Sequence, residues 1–456
     1  MNTLVNSKKM VPTYVGLALS AGIAVTAMSW VCFFALIFPL AYAHGLPAIA
    51  VGFATGVPLV LAAITLPFVL RLVRRTPIKA LGRYHWILFL SVLLTVFGFV
   101  ALFNMPLRAH SAVKVIYAII ATYFFALGAL LYSATHFKIA IRIAGDKDEL
   151  KQLNLFWLVI TAIVAMFAIV TMFFWEPLGR QNILNIIFVS ATVMLVASSA
   201  IFFGTYNYVP RIEAKEIGVQ KQNYPKVLFN DFKTVVGTKK LFFVGMVLCL
   251  FALLFCAVLV SQILMSTAQV AGLRFGTQIF LCLGIVSFGF AYFLGYKLPP
   301  KNITNATKRC SVSIILCALY FALLLFISML SSTPTVVAII VGFAITPIIG
   351  LFGGFSMSAI SAHWTFLSDG ENVIKGEIKQ LLSYITITCI AGLALIIGGV
   401  AVSLNSLGRH GWITFIIVAF VSALTGVILL IIALKKQVAP QDHTTIAMTT
   451  NTTKDE

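Results

Sequence analysis

Twelve apolar stretches follow one another along this chain of 456 residues, and none of its thirteen acidic residues falls inside any of them. No other feature restricts the fold as much. A helix that crosses a bilayer needs ~20 mainly apolar residues. Cutting the chain at Pro, Gly and charge clusters places such stretches at 14–42, 48–70, 86–105, 113–137, 155–175, 183–205, 241–265, 276–296, 311–331, 336–361, 380–404 and 412–434. Hydrophobic residues make up 61% of the chain and charged residues 10%. A soluble domain carries about 25% charged residues. No soluble core of this length could cover so much apolar surface, so the bilayer is the solvent. The expected fold class is an all-α polytopic membrane protein with twelve transmembrane helices.

The formal charge of +19 would suggest nucleic acid in a soluble protein. Here its distribution points to topology instead. Twelve spans put both termini on one side, and 27 of the 32 Lys and Arg residues fall on that side. Only Arg108, Lys114, Arg180, Arg274 and Arg409 fall on the other. Basic residues concentrate in cytoplasmic loops, so both termini are expected to be cytoplasmic and no nucleic-acid partner is expected. The sequons at Asn302, Asn305 and Asn451 then face the cytoplasm and are discounted as glycosylation sites. Seven cysteines sit in or beside apolar stretches without a CxxC pair. They read as small hydrophobes, neither disulfides nor metal ligands. The first apolar stretch is too long for a signal-peptide core and reads as a retained span.

The longest polar interruption, 206–240, divides the spans six and six. The expected organisation is a short cytoplasmic N-terminus (1–13), a six-helix bundle (14–205), a cytoplasmic connector (206–240), a second six-helix bundle (241–434) and a disordered cytoplasmic tail (435–456). The halves also echo each other. Glu149-Leu150-Lys151-Gln152-Leu153 precedes span five, and Glu377-Ile378-Lys379-Gln380-Leu381 leads into span eleven. Two six-helix pseudo-repeats joined by a cytoplasmic connector form the layout of the major facilitator fold, whose halves are related by an axis along the membrane normal.

Several segments resemble the glycoside–pentoside–hexuronide:cation symporter branch of the major facilitators, the group containing the melibiose permeases. Gly45-Leu46-Pro47-Ala48-Ile49-Ala50-Val51-Gly52 is similar to that family's turn into helix two. Leu81-Gly82-Arg83-Tyr84-His85-Trp86-Ile87-Leu88 resembles its approach to helix three, without the family's proline. Asp146 to Leu153 resembles the loop between helices four and five, and Thr238-Lys239-Lys240-Leu241-Phe242 the start of helix seven. The resemblance implies a solute carrier. It also exposes departures. Where the family carries an acidic pair for its coupling cation on helix two, alignment on Pro67 places Ala62 and Leu66. The helix-four acid falls near Ser133 or Ala134, the helix-five arginine near Phe156 or Trp157, and the helix-eleven lysine near Cys389. The charged cation and sugar sites of the family are therefore expected to be lost.

Candidate substrate-binding residues are Trp30, Tyr132, His136, Gln262 and Thr388. Trp30 lies mid-span near a polar stripe of Ser20, Thr26 and Ser29, where a ring could stack on a sugar or simply pack between helices. His136 could bind substrate or a proton, because histidine changes charge near neutral pH. Alternatively His136 and Lys138 mark the membrane interface at the end of span four, with Lys138 snorkelling. Gln262 and Thr388, with Ser266 and Thr386, offer uncharged hydrogen bonds to a solute or to a neighbouring helix. Candidates for a cytoplasmic gate are Arg83, Lys138, His363, Trp364, Glu377 and Lys379; His363 and Trp364 could equally be an interfacial anchor. The glycine run Gly350 to Gly354 lies within a span and lacks a following Lys-Ser/Thr, so it suits helix packing and not phosphate. No hydrolase, metalloprotease or Walker motif occurs.

The expected function is a secondary transporter moving a small polar organic solute, a sugar or related compound, by alternating access. Coupled transporters usually carry a carboxylate near the bilayer centre. Its absence favours a facilitator or exchanger over a sodium symporter. Export of an amphipathic compound is the competing transport reading, and a non-transporting sensor or scaffold is the reading from another class. The expected setting is a bacterial inner membrane, with a monomer in the lipid bilayer, a small-molecule substrate as partner and no cofactor or metal.

Overall fold

In lipid no water is present to satisfy backbone N–H and C=O groups, so an apolar stretch closes its hydrogen bonds within itself as a helix. The computed structural model of the chain follows that rule. It describes residues 12–43, 45–75, 82–106, 108–143, 175–214, 373–405 and 410–438, and scattered residues within 160–164 and 225–351. The helices are α1 (Thr13–Ala43), α2 (Ala48–Arg75), α3 (Arg83–Phe103), α4 (Ser111–Ile143), α5 (Trp175–Thr205), a 3-10 turn (Tyr206–Tyr208), α6 (Val209–Ala214), α7 (Val373–Asn405) and α8 (His410–Val438). Among the described residues, six helices are long and apolar enough to cross a membrane. They are α1 to α5 and α7, which are predicted spans one to four, six and eleven. The helix α8 covers span twelve.

Several helices outrun their apolar stretches. Span four was placed at 113–137, whereas α4 continues to Ile143. Span six was placed from 183, whereas α5 starts at Trp175 with Pro177 in its first turn, where a missing N–H costs no intrahelical bond. Span eleven was placed from 380, whereas α7 starts at Val373. Pro58 and Pro67, inside predicted span two, lie inside α2; neighbouring helices make such prolines tolerable in a membrane. Two turns need a glycine. Gly45 has φ 66° and Gly82 has φ 72°, a region that side-chain-bearing residues rarely enter. Both belong to the segments that carry the family resemblance.

Small residues set the helix spacing. A Cβ on Gly98 of α3 would lie 2.8 Å from the Ala121 carbonyl oxygen of α4, and one on Gly128 of α4 would lie 2.8 Å from the Ser91 oxygen of α3. The two antiparallel helices therefore touch backbone to backbone, as glycine permits in membranes. Tyr123 of α4 reaches Thr65 of α2 at 3.0 Å. Because the Thr65 hydroxyl donates to Leu61 O, the tyrosine is the donor. Around α4 lies an apolar cluster that includes Phe33, Leu59, Leu66, Phe99, Phe125 and Leu395. Residues of α7 thus pack into the cluster built by the first half.

Spans one and six and spans seven and twelve make similar contacts. A Cβ on Gly204 of α5 would collide with the Ala18 methyl of α1, and one on Gly245 would lie 2.8 Å from Gly426 O of α8. In the expected arrangement of two six-span repeats these would be equivalent pairs.

Candidate functional site

Three groups of polar or small residues stand out against the apolar packing. The first is the seam between α1 and α4. Ser20 and Ser29 of α1 donate to their own helix, to Gly16 O at 2.8 Å and Thr26 O at 3.1 Å. Thr26 instead crosses to Ser133 of α4 at 3.3 Å. The Ser133 hydroxyl gives its proton to Ala129 O, so Thr26 donates. One turn further, His136 Nε2 lies 2.7 Å from Leu19 O. A carbonyl can only accept, which fixes the proton on Nε2. The ring fits there because α1 has no side chain at Gly22, whose added Cβ would lie 2.8 Å from His136 Nε2. Tyr132 stacks on His136, with centroids 6.0 Å apart and planes 5° apart. Its hydroxyl is buried and has no hydrogen-bond partner among the described residues.

His136 and Lys138 are each only 2% exposed, inside the bundle and short of the end of α4, so Lys138 does not snorkel over an exposed surface. Trp30 shares the α1–α4 seam, half-buried, with its ring edge-on to Phe125 at 5.6 Å and to Phe33 at 6.2 Å. From Phe125 to His136 is roughly 16 Å along the helix at 1.5 Å per residue. The structure therefore puts Trp30, Tyr132 and His136 on one seam but in two separate places.

The second group joins α2 to α7. Thr388 is buried there, one turn before Gly392 on α7. Gly52 and Gly56 of α2 face Gly399 and Gly392 of α7, and a Cβ on Gly52 would lie 2.7 Å from Leu395 O and 3.0 Å from Gly399 Cα. At the Ala48 end of α2, the Ile49 amide donates to Ser403 Oγ at 2.9 Å. Thr386 donates to Leu382 O of its own helix at 2.8 Å. The positions aligned with the symporter carboxylates lie on α2 as well, and both Ala62 and Leu66 are wholly buried in the apolar cluster. Ser133 and Ala134 are buried too, and Cys389 packs against the cluster margin. Among the described residues, no group of three or more His, Cys, Asp or Glu could hold a metal ion.

The third group escaped the sequence reading. Arg142, in the last turn of α4, is 1% exposed. Its guanidinium lies 4.7 Å from the centre of the Tyr84 ring, and its Nη1 donates to Ile212 O of α6 at 3.0 Å. Beside it, His85 Nε2 lies 2.8 Å from Thr205 Oγ1. That hydroxyl donates to Ile201 O, so His85 is the donor. Ending span four at Phe137 hid this group, because it assigned Arg142 to a loop. The signal in the sequence was Lys138 and Arg142 one helical turn apart, continuing the α4 pattern.

The remaining candidates are placed only in outline. Arg83 opens α3, and Glu377 and Lys379 lie in the opening turns of α7. Gln262, His363 and Trp364 lie outside the described residues, as do Phe156 and Trp157.

No protein-family model matches the sequence, and no curated protein matches it. Solved structures do match. The nucleoside transporter NupG is 14% identical, with a TM-score of 0.61 over 92% of this chain and 98% of that one. A bacterial homologue of the iron transporter ferroportin, outward-facing with soaked iron, is 16% identical with a TM-score of 0.59 over 92% and 98%. A POT family transporter in complex with a thioalcohol-conjugated peptide is 12% identical with a TM-score of 0.60 over 92% and 96%. At such identities the likeness is one of fold. The chain is an all-α, multi-pass integral membrane protein with the major facilitator type of fold.

Proposed function

We propose that the chain is a secondary transporter that moves a small, uncharged polar solute, a sugar or related compound, by alternating access of its two halves. The mode is facilitated diffusion or exchange, not sodium symport. One observation carries this reading: Ala62 and Leu66, aligned with the symporter carboxylates, are wholly buried in apolar packing, in a chain whose fold matches solute transporters over most of its length. A cation at that place would have no side-chain oxygen ligand from either residue, and small hard cations need several oxygens. Trp30, with its half-buried ring, and the hydroxyls of Tyr132 and Thr388 are the proposed solute contacts. His136 and Gln262 are further candidates, and Arg83, Lys138, His363, Trp364, Glu377 and Lys379 form the proposed cytoplasmic gate. In this proposal both termini lie in the cytoplasm and the protein is a monomer in a bacterial inner membrane.

The test is flux in proteoliposomes across a panel of sugars, polyols, nucleosides and organic acids, with and without sodium and pH gradients. Equilibration independent of either gradient is expected. Accumulation driven by sodium would overturn the facilitator reading, and no flux across the panel would favour a sensor or scaffold.

A further inference from the structure

The start of the connector between the halves is built into the first bundle. Thr205 closes α5, and the chain continues through the turn Tyr206–Tyr208 into α6, Val209–Ala214. The six described residues of α6 are held by tertiary packing, as most short helices in proteins are. Ile212 is 1% exposed and Tyr208 packs against the apolar cluster of the first half. Arg142 adds a charged donor at the Ile212 carbonyl of α6. The guanidinium is itself held over the Tyr84 ring of α3, an arrangement that favours Arg over Lys. A second tie, His85 to Thr205, fastens the end of α5 immediately before the turn.

We infer that Arg142 is a positioning residue that latches the first segment of the connector, 206–214, onto the first bundle, so that this segment travels with that bundle whenever the halves move relative to each other. The tie point of the connector is thereby shifted from the end of α5 to the end of α6. This does not depend on what the protein transports.

Hydrogen–deuterium exchange on the full-length protein in lipid nanodiscs tests it. In the wild type, amides of 206–214 are expected to exchange at least a hundredfold slower than an unstructured peptide. Arg142→Gln is expected to speed exchange there about tenfold, the loss of one charged hydrogen bond, and to leave α1 and α2 unchanged. Unaltered exchange at 206–214, or an equal rise throughout α1 to α5, would overturn the latch, the latter by showing a general structural role. If Arg142→Gln does not fold, Tyr84→Leu removes the ring beneath the guanidinium and is read the same way. Wild-type exchange of 206–214 at the rate of an unstructured peptide would overturn the inference without any variant.

Discussion

The contact between α2 and α7 makes a quantitative prediction for Gly52→Ala. All three atoms that a Cβ at this position would meet are backbone: Leu395 O at 2.7 Å, Gly399 Cα at 3.0 Å and Gly399 N at 3.4 Å. Carbon atoms settle ~3.5 Å or more from their neighbours, so α7 would have to retreat by roughly 0.8 Å from the Leu395 carbonyl. Backbone cannot rotate aside as a side chain can. The retreat is also opposed on either side, by the Gly56–Gly392 approach and by the bond from Ile49 N to Ser403 Oγ. Overpacking of this kind costs about 1–3 kcal/mol. Alanine recovers about 0.5–1 kcal/mol as the better helix former. A net loss of about 0.5–2 kcal/mol is therefore expected, subtracting the lower ends and the upper ends of those two ranges. Reversible unfolding in mixed micelles, followed by tryptophan fluorescence, measures it. A variant as stable as the wild type, or more so, would show that α2 and α7 do not meet at Gly52, and the reasoning about the seam would fail.

Two further substitutions probe different parts of the packing. Gly204→Ala places a methyl against the Ala18 methyl of α1, but beyond that group the nearest atom is Ala18 Cα at 3.9 Å; Gly204→Ala should therefore destabilise, and Ala18→Gly should restore stability in the double variant, with a coupling of about 1 kcal/mol or more. Simple additivity of the two changes would refute the contact. Ala62→Asp puts a carboxylate where the symporter family carries one, at a wholly buried place among apolar side chains. A loss of about 3 kcal/mol or more is expected for a buried, unpaired charge, with no stabilisation by sodium in the same unfolding titration. Recovery on adding sodium would reveal a latent cation site.

The Ala62 and Gly52 predictions bear on one issue from two sides. The helix that would carry cation ligands in the symporters here serves as a packing surface, with its buried face turned toward the cluster and α7. Under the proposed function, solute selectivity would come from hydroxyls and aromatic rings. Such groups recognise shape and hydrogen bonding and store no charge gradient, which is why the flux experiment and the Ala62→Asp titration test the same idea independently.

The sequence by itself determined the class of the fold. Apolar length and the rule that backbone must be satisfied inside lipid leave no other solution than helices, and the glycines of Gly45-Leu46-Pro47 and Leu81-Gly82-Arg83 marked turns whose positive φ requires them. It also showed that no carboxylate lies inside any apolar stretch, because identity at a position is a local fact. Helix ends were less legible: Arg142 and Glu377 read as loop residues because charge was taken to end a span, yet a helix continues beyond the hydrocarbon wherever packing supports it. What only the tertiary structure decided was which faces meet. Periodicity could put Trp30, Tyr132 and His136 on helices, but it could not show that His136 fills the space left by Gly22, or that Trp30 lies three turns away from it. Nor could it reveal that Arg142 reaches a carbonyl 70 residues on. Contacts of that kind depend on how several helices cross in space, and no local pattern of residues records that.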